Sequence, residues 1–212
     1  MIDTEIKNIL SKAYNKRSVD RDQSSIQPWK VKERDVFYSY LKKENKSSLL
    51  EIGAGTGKDS LFFNEKGIKT FSTDLSPYSV KLCKGKGLEA KVMSFDQLDI
   101  PNNQFDSVWA LNCLLHVPKK NLNKVLKEID RVLYPEGLFY MGVYGGENHE
   151  GVWEDDFYVP KRFFSFFEDY SIKEVLSEVF EIEYFNCVPK EVVGGKFHFQ
   201  SIILRKRSVV VL

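Results

Sequence analysis

The feature that most restricts how this chain folds is a glycine loop set between an apolar run and a helical one. Ser48-Leu49-Leu50-Glu51-Ile52 reads as a short strand, Gly53-Ala54-Gly55-Thr56-Gly57 follows, and Lys58 to Lys66 has helical spacing closed by Gly67. Glycine at alternate positions lets the backbone turn tightly and lets a ligand approach without interference from Cβ. A strand, such a loop and a helix in that order form the opening unit of a sheet with helical crossovers.

The rest of the chain continues the same grammar. Ile68 to Thr73 is a second strand ending at Asp74, and Ser76-Pro77 caps and opens a helix running to about Lys84. Leu88 to Ser94 and Phe105 to Leu111 are the third and fourth strands. Leu122, Val125, Leu126, Ile129, Val132 and Leu133 share one helical face, and Pro135-Glu136-Gly137 stops that helix before a fifth strand, Gly137 to Tyr144. Ser171-Ile172-Lys173-Glu174 has capping-box spacing and predicts the start of a last helix. Glu181 to Val188 and Phe197 to Arg205 read as an antiparallel strand pair joined through Gly194-Gly195. Ahead of all this, residues 1–45 predict two helical stretches around a break at Gln27-Pro28, with the polar segment Asn15 to Trp29 suited to a mobile lid. The expected architecture is one α/β domain of 212 residues with a doubly wound, Rossmann-like sheet and helices on both faces. Its parts are a lid at 1–45, a ligand-binding core at 46–146, a substrate loop at 147–170, and a C-terminal helix and strand pair at 171–207. The tail, Ser208 to Leu212, carries no readable pattern.

Ligands on such sheets sit beyond the carboxyl ends of the strands, near the point where strand order reverses. Glu51 to Gly57, Asp74, Asp96 and Leu111 to His116 all fall at those ends, so one crevice should collect them. The third glycine of a dinucleotide fingerprint is absent, its place being taken by Lys58. Glu51, inside the first strand, would repel a pyrophosphate and welcome a cationic amino or sulfonium group. Asp74 stands where an acidic side chain accepts both ribose hydroxyls. Asp96 offers a carboxylate to an exocyclic amino group beside the apolar ring of Phe95. Any one of these acids is as readily a helix cap or a surface charge. Three at successive strand ends make a site.

These residues resemble the class I S-adenosylmethionine-dependent methyltransferases, in particular the small-molecule group, over the run from Leu49 to Gly146. Leu50 to Gly57 is similar to the first motif of that family, Asp74 to its ribose-binding acid, and Phe95-Asp96 to its adenine-binding position. Phe105 to Asn112 with Leu115-His116-Val117-Pro118 resembles the fourth-strand motif, and Leu133 to Phe139 the turn before strand five, with Glu136 where Gly is commoner. The resemblance implies a seven-stranded sheet, mostly parallel with its last strand antiparallel. It also implies S-adenosylmethionine as cofactor, S-adenosylhomocysteine as product, and cofactor contacts from Glu51, Gly53, Ala54, Gly55, Gly57, Asp74, Leu75, Phe95, Asp96, Asn112 and Cys113.

The expected reaction is methyl transfer to N, O or S of a small molecule by in-line displacement, in which positioning supplies much of the catalysis. His116 is a candidate general base and otherwise a structural histidine. Tyr14 and Tyr144 are further candidates near the methyl group, and Trp29, Trp153 and Tyr158 candidates for substrate contact. Cys113 reads as a small wall residue rather than a nucleophile. A degenerate cofactor-binding sensor and an NAD-dependent oxidoreductase are the alternatives, the latter opposed by Lys58 and Glu51.

Charge argues about partners. Lys and Arg number 31 against 30 Asp and Glu, a balance unlike that of a phosphate-gripping protein, so nucleic acid is disfavoured. Neither a signal peptide nor a membrane-spanning run is legible. Cys83, Cys113 and Cys187 are widely spaced, predict neither a disulfide framework nor a metal centre, and fit a reducing cytoplasm.

Overall fold

A computed structural model describes residues 2–208, so the last four residues of the unreadable tail lie outside the described residues. The chain begins with helices α1 (Thr4–Gln23) and α2 (Pro28–Lys43). Asp3 caps α1 by accepting from the Glu5 amide at 2.8 Å. Pro28 opens α2 at the position where its missing N–H costs nothing. Strand β1 (Ser48–Ile52), helix α3 (Lys58–Glu65), strand β2 (Lys69–Asp74), helix α4 (Pro77–Gly85) and strand β3 (Glu89–Val92) then alternate. Strand β4 (Phe105–Leu111), a 3-10 turn at Leu114–His116, helix α5 (Lys119–Val132) and strand β5 (Leu133–Gly145) complete the parallel part.

A short hairpin, β6 (His149–Val152) with β7 (Phe163–Phe166), stands apart from the main sheet. Helix α6 (Asp169–Ser177), strand β8 (Phe180–Val188), the single turn α7 (Lys190–Val193) and strand β9 (His198–Lys206) end the described fold.

The main sheet has seven strands in the order β3-β2-β1-β4-β5-β9-β8. Its first five are parallel, and β9 runs antiparallel between β5 and β8. Strand order therefore reverses between β1 and β4, which opens a crevice at their carboxyl ends. Alternation along the strands feeds two cores. Trp109 and Tyr140, stacked at 3.9 Å between ring centroids, face Phe37 and Leu41 of α2 and Phe63 of α3. Val108, Ala110, Phe139 and Met141 face the apolar stripe of α5 and Ile172 and Leu176 of α6. Both faces of the sheet are covered, as parallel sheets require.

Four expectations differ from what is seen. Residues Asn15 to Gln23 are helical and docked, not a free polar segment. Strand β5 starts at Leu133, because Leu133 pairs with Phe105 and the chain then bulges through Glu136 in the left-handed region (φ 61°). Helix α6 starts at Asp169, ahead of Ser171, since the Ile172 amide already bonds to Glu168 O at 3.0 Å. The 147–170 segment holds the β6–β7 hairpin, whose Phe164 and Phe166 join the core.

Candidate active site at the β1 and β4 strand ends

After Ile52 the backbone turns through Gly53, Gly55 and Gly57, all with positive φ (65°, 54° and 78°). Ala54 N–H bonds to Thr73 O at 2.9 Å, which ties the loop to the end of β2. Asn112 also takes positive φ (57°), a conformation Asn tolerates, and folds Cys113 back beneath Gly53. The Cys113 thiol donates to Ile52 O at 3.1 Å, and burial raises its pKa. It is a neutral wall, not a nucleophile.

Asp74 ends β2 and organises the turn. Its Oδ2 accepts from Gly55 N at 2.8 Å and its Oδ1 from Ser76 N at 2.7 Å. A carboxylate has about four acceptor positions, so those two amides leave room for two further donors. Burial raises its pKa to about 6, against the lowering effect of the two amides. Around it a cleft is lined by Tyr14, Arg21, Leu75, Met93, Phe95 and His116. This is an apolar slot ending on a carboxylate.

A second, more polar chamber of about 360 Å³ opens on the other side of Gly53. Arg21, Leu111 and Asn112 line both spaces. Its lining includes the acids Glu51 and Asp59 and the bases Arg21, Lys30 and Lys58. Glu51 accepts from Ser60 N at 2.8 Å and from the Ser60 hydroxyl; burial, then the charge of Asp59, push its pKa well up. Burial and Arg21 lower Lys30 to about 8. The Oδ1 of Asn112 is buried with no hydrogen-bond partner among the described residues, a cost of about 1–3 kcal/mol that a bound donor would relieve.

Helix α1 lies over both spaces. Lys58, where a dinucleotide binder carries Gly, instead donates to Arg21 O at 2.6 Å and to Ser24 O, fastening the end of α1 to the start of α3. The Tyr14 hydroxyl sits 2.7 Å from His116 Nε2 and accepts from Arg162 at 2.9 Å. His116 Nδ1 lies 2.7 Å from Phe163 O, so Nδ1 carries the proton and Nε2 accepts from Tyr14. Burial drives the His116 pKa down to about 3, leaving it neutral. Arg162 is fixed in turn by Asp156 through three bonds of 2.8 to 2.9 Å.

The structure brings Glu51, Gly53, Gly55, Asp74, Leu75, Phe95, Asn112, Cys113, His116 and Tyr14 together, with Ala54 on the polar chamber. Gly57 packs behind the loop against Cys83 and Leu88. Asp96 is placed differently: its carboxylate takes Lys7 Nζ at 2.7 Å, Ile2 N at 2.7 Å and Ser94 Oγ, all outside the cleft lining. Tyr158 is buried beside the cleft, its hydroxyl accepting from Arg21 at 3.2 Å and its face 3.5 Å from the Arg162 guanidinium carbon. Trp29 and Tyr144 pack on Phe199 behind the lining, Tyr144 bonded to Asn112 and Trp29 beneath Lys30 at 5.2 Å, while Trp153 packs on Phe166 and Phe197. Arg21, Lys30, Met93 and Arg162 escaped the sequence reading. Their side chains reach the site from remote segments, and no local pattern marks them.

S-adenosylmethionine fits this donor set on the structure's own terms. Asp74 has acceptor positions left for two ribose hydroxyls, and the zwitterionic end of an amino acid meets a chamber lined by both acids and bases. The orphaned Asn112 oxygen lies where the spaces join. Ribose hydroxyls donate to the ionised carboxylate, so affinity should fall as pH drops through about 6, approaching tenfold per pH unit. Calorimetry with S-adenosylhomocysteine across that range, on the native chain and on Asp74→Asn, should give a slope only in the former. Equal slopes would remove Asp74 as the titrating contact.

Comparison with known proteins agrees with this geometry. Residues 50–141 match the family described as "Methyltransferase domain". A phosphoethanolamine N-methyltransferase of Plasmodium falciparum is 28% identical over 132 residues, 58% of this chain and 49% of that protein. The chain thus spans about half the length of that relative. The 1,6-didemethyltoxoflavin-N1-methyltransferase of Burkholderia thailandensis, solved with its substrate and S-adenosylhomocysteine, shares the fold with a TM-score of 0.78 at 21% identity, covering 96% of this chain and 90% of that one. A SAM-dependent methyltransferase of Methanosarcina mazei aligns with a TM-score of 0.72 at 21% identity, over 87% of this chain and 100% of that one.

Proposed function

We propose that this chain, whose residues 50–141 match the methyltransferase-domain family, is an S-adenosylmethionine-dependent methyltransferase that moves a methyl group from that cofactor to a nitrogen, oxygen or sulfur of a small molecule. The observation that carries the reading is Asp74 at the end of β2, half-buried, bound to the Gly55 amide and facing an apolar slot. Nitrogen is favoured among the acceptor atoms, because the Plasmodium N-methyltransferase aligns over 58% of this chain, more than the sterol C-methyltransferases of Aspergillus fumigatus (45%) and Caenorhabditis elegans (42%).

When bound, the cofactor supplies an electrophilic methyl on a sulfonium. The protein's part is to hold, orient and exclude water. Asp74 receives the ribose, Phe95 and Met93 flank the base, and Lys30 with Arg21 face the carboxylate. The acceptor enters between α1 and the β4 end, where Tyr14 presents a hydroxyl polarised by Arg162. With both ring nitrogens engaged, His116 is a positioning residue that sets the Tyr14 hydroxyl rather than the group that takes the substrate proton. Tyr14 touches the acceptor and orients its lone pair.

Two measurements test this. S-adenosylhomocysteine should bind and NAD should not, and a panel of small amines, phenols and thiols should yield a methylated product. Tyr14→Phe should lower kcat by about 10- to 100-fold with cofactor affinity unchanged; an unaltered kcat would remove Tyr14 from the acceptor side. Cofactor binding without transfer to any acceptor would favour a sensor. Among the described residues no helix is long and apolar enough to cross a membrane. Three free thiols favour a reducing compartment such as the cytoplasm.

A further inference from the structure

Away from the crevice, three unlike metal-ligating side chains converge at the mouth of a separate cleft of about 430 Å³. Asp169 is the first residue of α6, Cys187 lies near the end of β8, and His198 opens β9. Their ligating atoms all lie within 4.8 Å of one another. The His198 Nε2 is 2.7 Å from Asp169 Oδ1, and the Cys187 thiol donates to Asp169 Oδ2 at 3.2 Å. The cleft shares no lining residue with the two spaces around Gly53.

We propose that Asp169, Cys187 and His198 bind a zinc ion that clamps the start of α6 to the β8–β9 hairpin. One imidazole, one thiolate and one carboxylate form the mixed N/S/O set that suits Zn²⁺ and disfavours Mg²⁺ or Ca²⁺. Bond lengths of about 2.0–2.3 Å in a tetrahedron set ligand atoms roughly 3.3–3.7 Å apart. The two observed contacts, one to each Asp169 oxygen, therefore need to open by about half an ångström, while any pair nearer the 4.8 Å limit closes, both side-chain adjustments. Binding replaces the hydrogen of the Cys187 thiol by the metal and releases that proton to solvent, while the neutral His198 ring shifts its proton from Nε2 to Nδ1 so that Nε2 can ligate. The fourth position faces the cleft, whose lining includes Glu147 and Glu191, and is completed by one of these carboxylates or by water.

The surroundings orient the ligands as a metal site demands. Gln200, directly opposite Cys187 in the strand register, donates to Asp169 Oδ1 at 2.7 Å and to Phe167 O at 3.0 Å. Such outer-shell bonds fix a ligating carboxylate. Gly146 provides the room for the imidazole, since a Cβ there would lie 2.4 Å from His198 Cε1 and 2.6 Å from its Nδ1. With Nδ1 against Gly146, Nε2, which donates to Asp169 Oδ1 in the metal-free protein, points at the cluster. The sequence shows none of this, because the ligands are 18 and 29 positions from Asp169 and meet only through strand pairing.

The full chain, stripped with a chelator and exchanged into metal-free buffer, is titrated with Zn²⁺ against a chromophoric competitor. One equivalent should bind at micromolar concentration or tighter, with a rise in Tm. Co²⁺ in its place should give intense visible bands and a thiolate-to-cobalt charge-transfer band. Cys187→Ser and His198→Ala should each weaken Zn²⁺ by at least ~100-fold and abolish the Tm rise, with circular dichroism reporting that the variants are folded. No binding to the native chain overturns the proposal. So does Zn²⁺ bound equally by the native chain and by the Cys187→Ser and His198→Ala double variant, or a cobalt spectrum without the thiolate band, which is read on the native chain whether or not the variants fold. Cofactor binding is not a readout, so failure here leaves the methyl-transfer reading untouched.

Discussion

Asp74→Ala is expected to weaken S-adenosylhomocysteine binding by about a hundredfold or more while leaving the sheet intact. The carboxylate offers its two remaining acceptor positions to the ribose, and each hydrogen bond to a charged group contributes about 1.5–3 kcal/mol. Losing two therefore removes about 3 kcal/mol or more, and 1.4 kcal/mol is a factor of ten. The same substitution releases the amides of Gly55 and Ser76, held at 2.8 and 2.7 Å. Loosening of the loop should add a Tm loss of a few degrees, roughly 2–4 °C per kcal/mol for a chain of this size. Calorimetry measures the first effect and a melting scan the second. Affinity within about threefold of the native chain would mean that the ribose lies elsewhere, and the whole crevice assignment would go with it. Asp74→Asn, which keeps one carbonyl acceptor, should fall between the two.

How much of this was readable in advance depends on how local each signal is. Strand β4 was predicted over Phe105 to Leu111 and is observed over those residues, because its apolar run is bounded by polar residues that cannot extend it. The buried face of α5 was likewise legible, since Leu122, Val125, Leu126, Ile129 and Val132 repeat at helical spacing. The glycine loop and Asp74 were readable as a pair because the second strand brings one to the other in a single βαβ step. The lid was not. Arg21 meets Tyr158 across 137 positions and Arg162 meets Tyr14 across 148, distances over which one sequence carries no pairing information. Asp96 is legible only in part: its place after the third strand is readable, but Lys7 and the Ile2 amide, which engage its oxygens from a segment with no recognisable motif, are not. Trp29 was placed near the substrate on residue type alone, and type does not say which way a ring faces. Packed against Phe199 at 4.6 Å between centroids, it joins α2 to β9. The β6–β7 hairpin escaped notice because His149-Glu150-Gly151-Val152 alternates too weakly to read as a strand without its phenylalanine-rich partner.

Gly53→Ala should be the most damaging single-methyl change in the crevice, and for two separable reasons. Gly53 has φ 65°, and a non-glycine residue in that left-handed region costs about 1–2 kcal/mol. A Cβ added there would also lie 2.4 Å from the Cβ of Cys113, an atom fixed to the backbone that no rotamer change can move. Relieving the overlap requires the loop to shift away from the end of β4, at about 1–3 kcal/mol. Together these predict a loss of about 2–5 kcal/mol and a Tm lower by about 5–15 °C. They also predict cofactor binding too weak to measure by calorimetry, because the displaced loop carries the Gly55 amide that seats Asp74. Cys113→Ala added to Gly53→Ala should restore nothing, since the clash is with Cβ. Cys113→Gly should recover the steric share and leave the backbone share. Gly55→Ala is the contrasting case: its φ of 54° carries the same backbone cost, but the nearest atom to a new Cβ is an Arg21 nitrogen at 3.7 Å. A Gly53→Ala chain no less stable than Gly55→Ala would mean that the close approach to Cys113 is not what holds the loop.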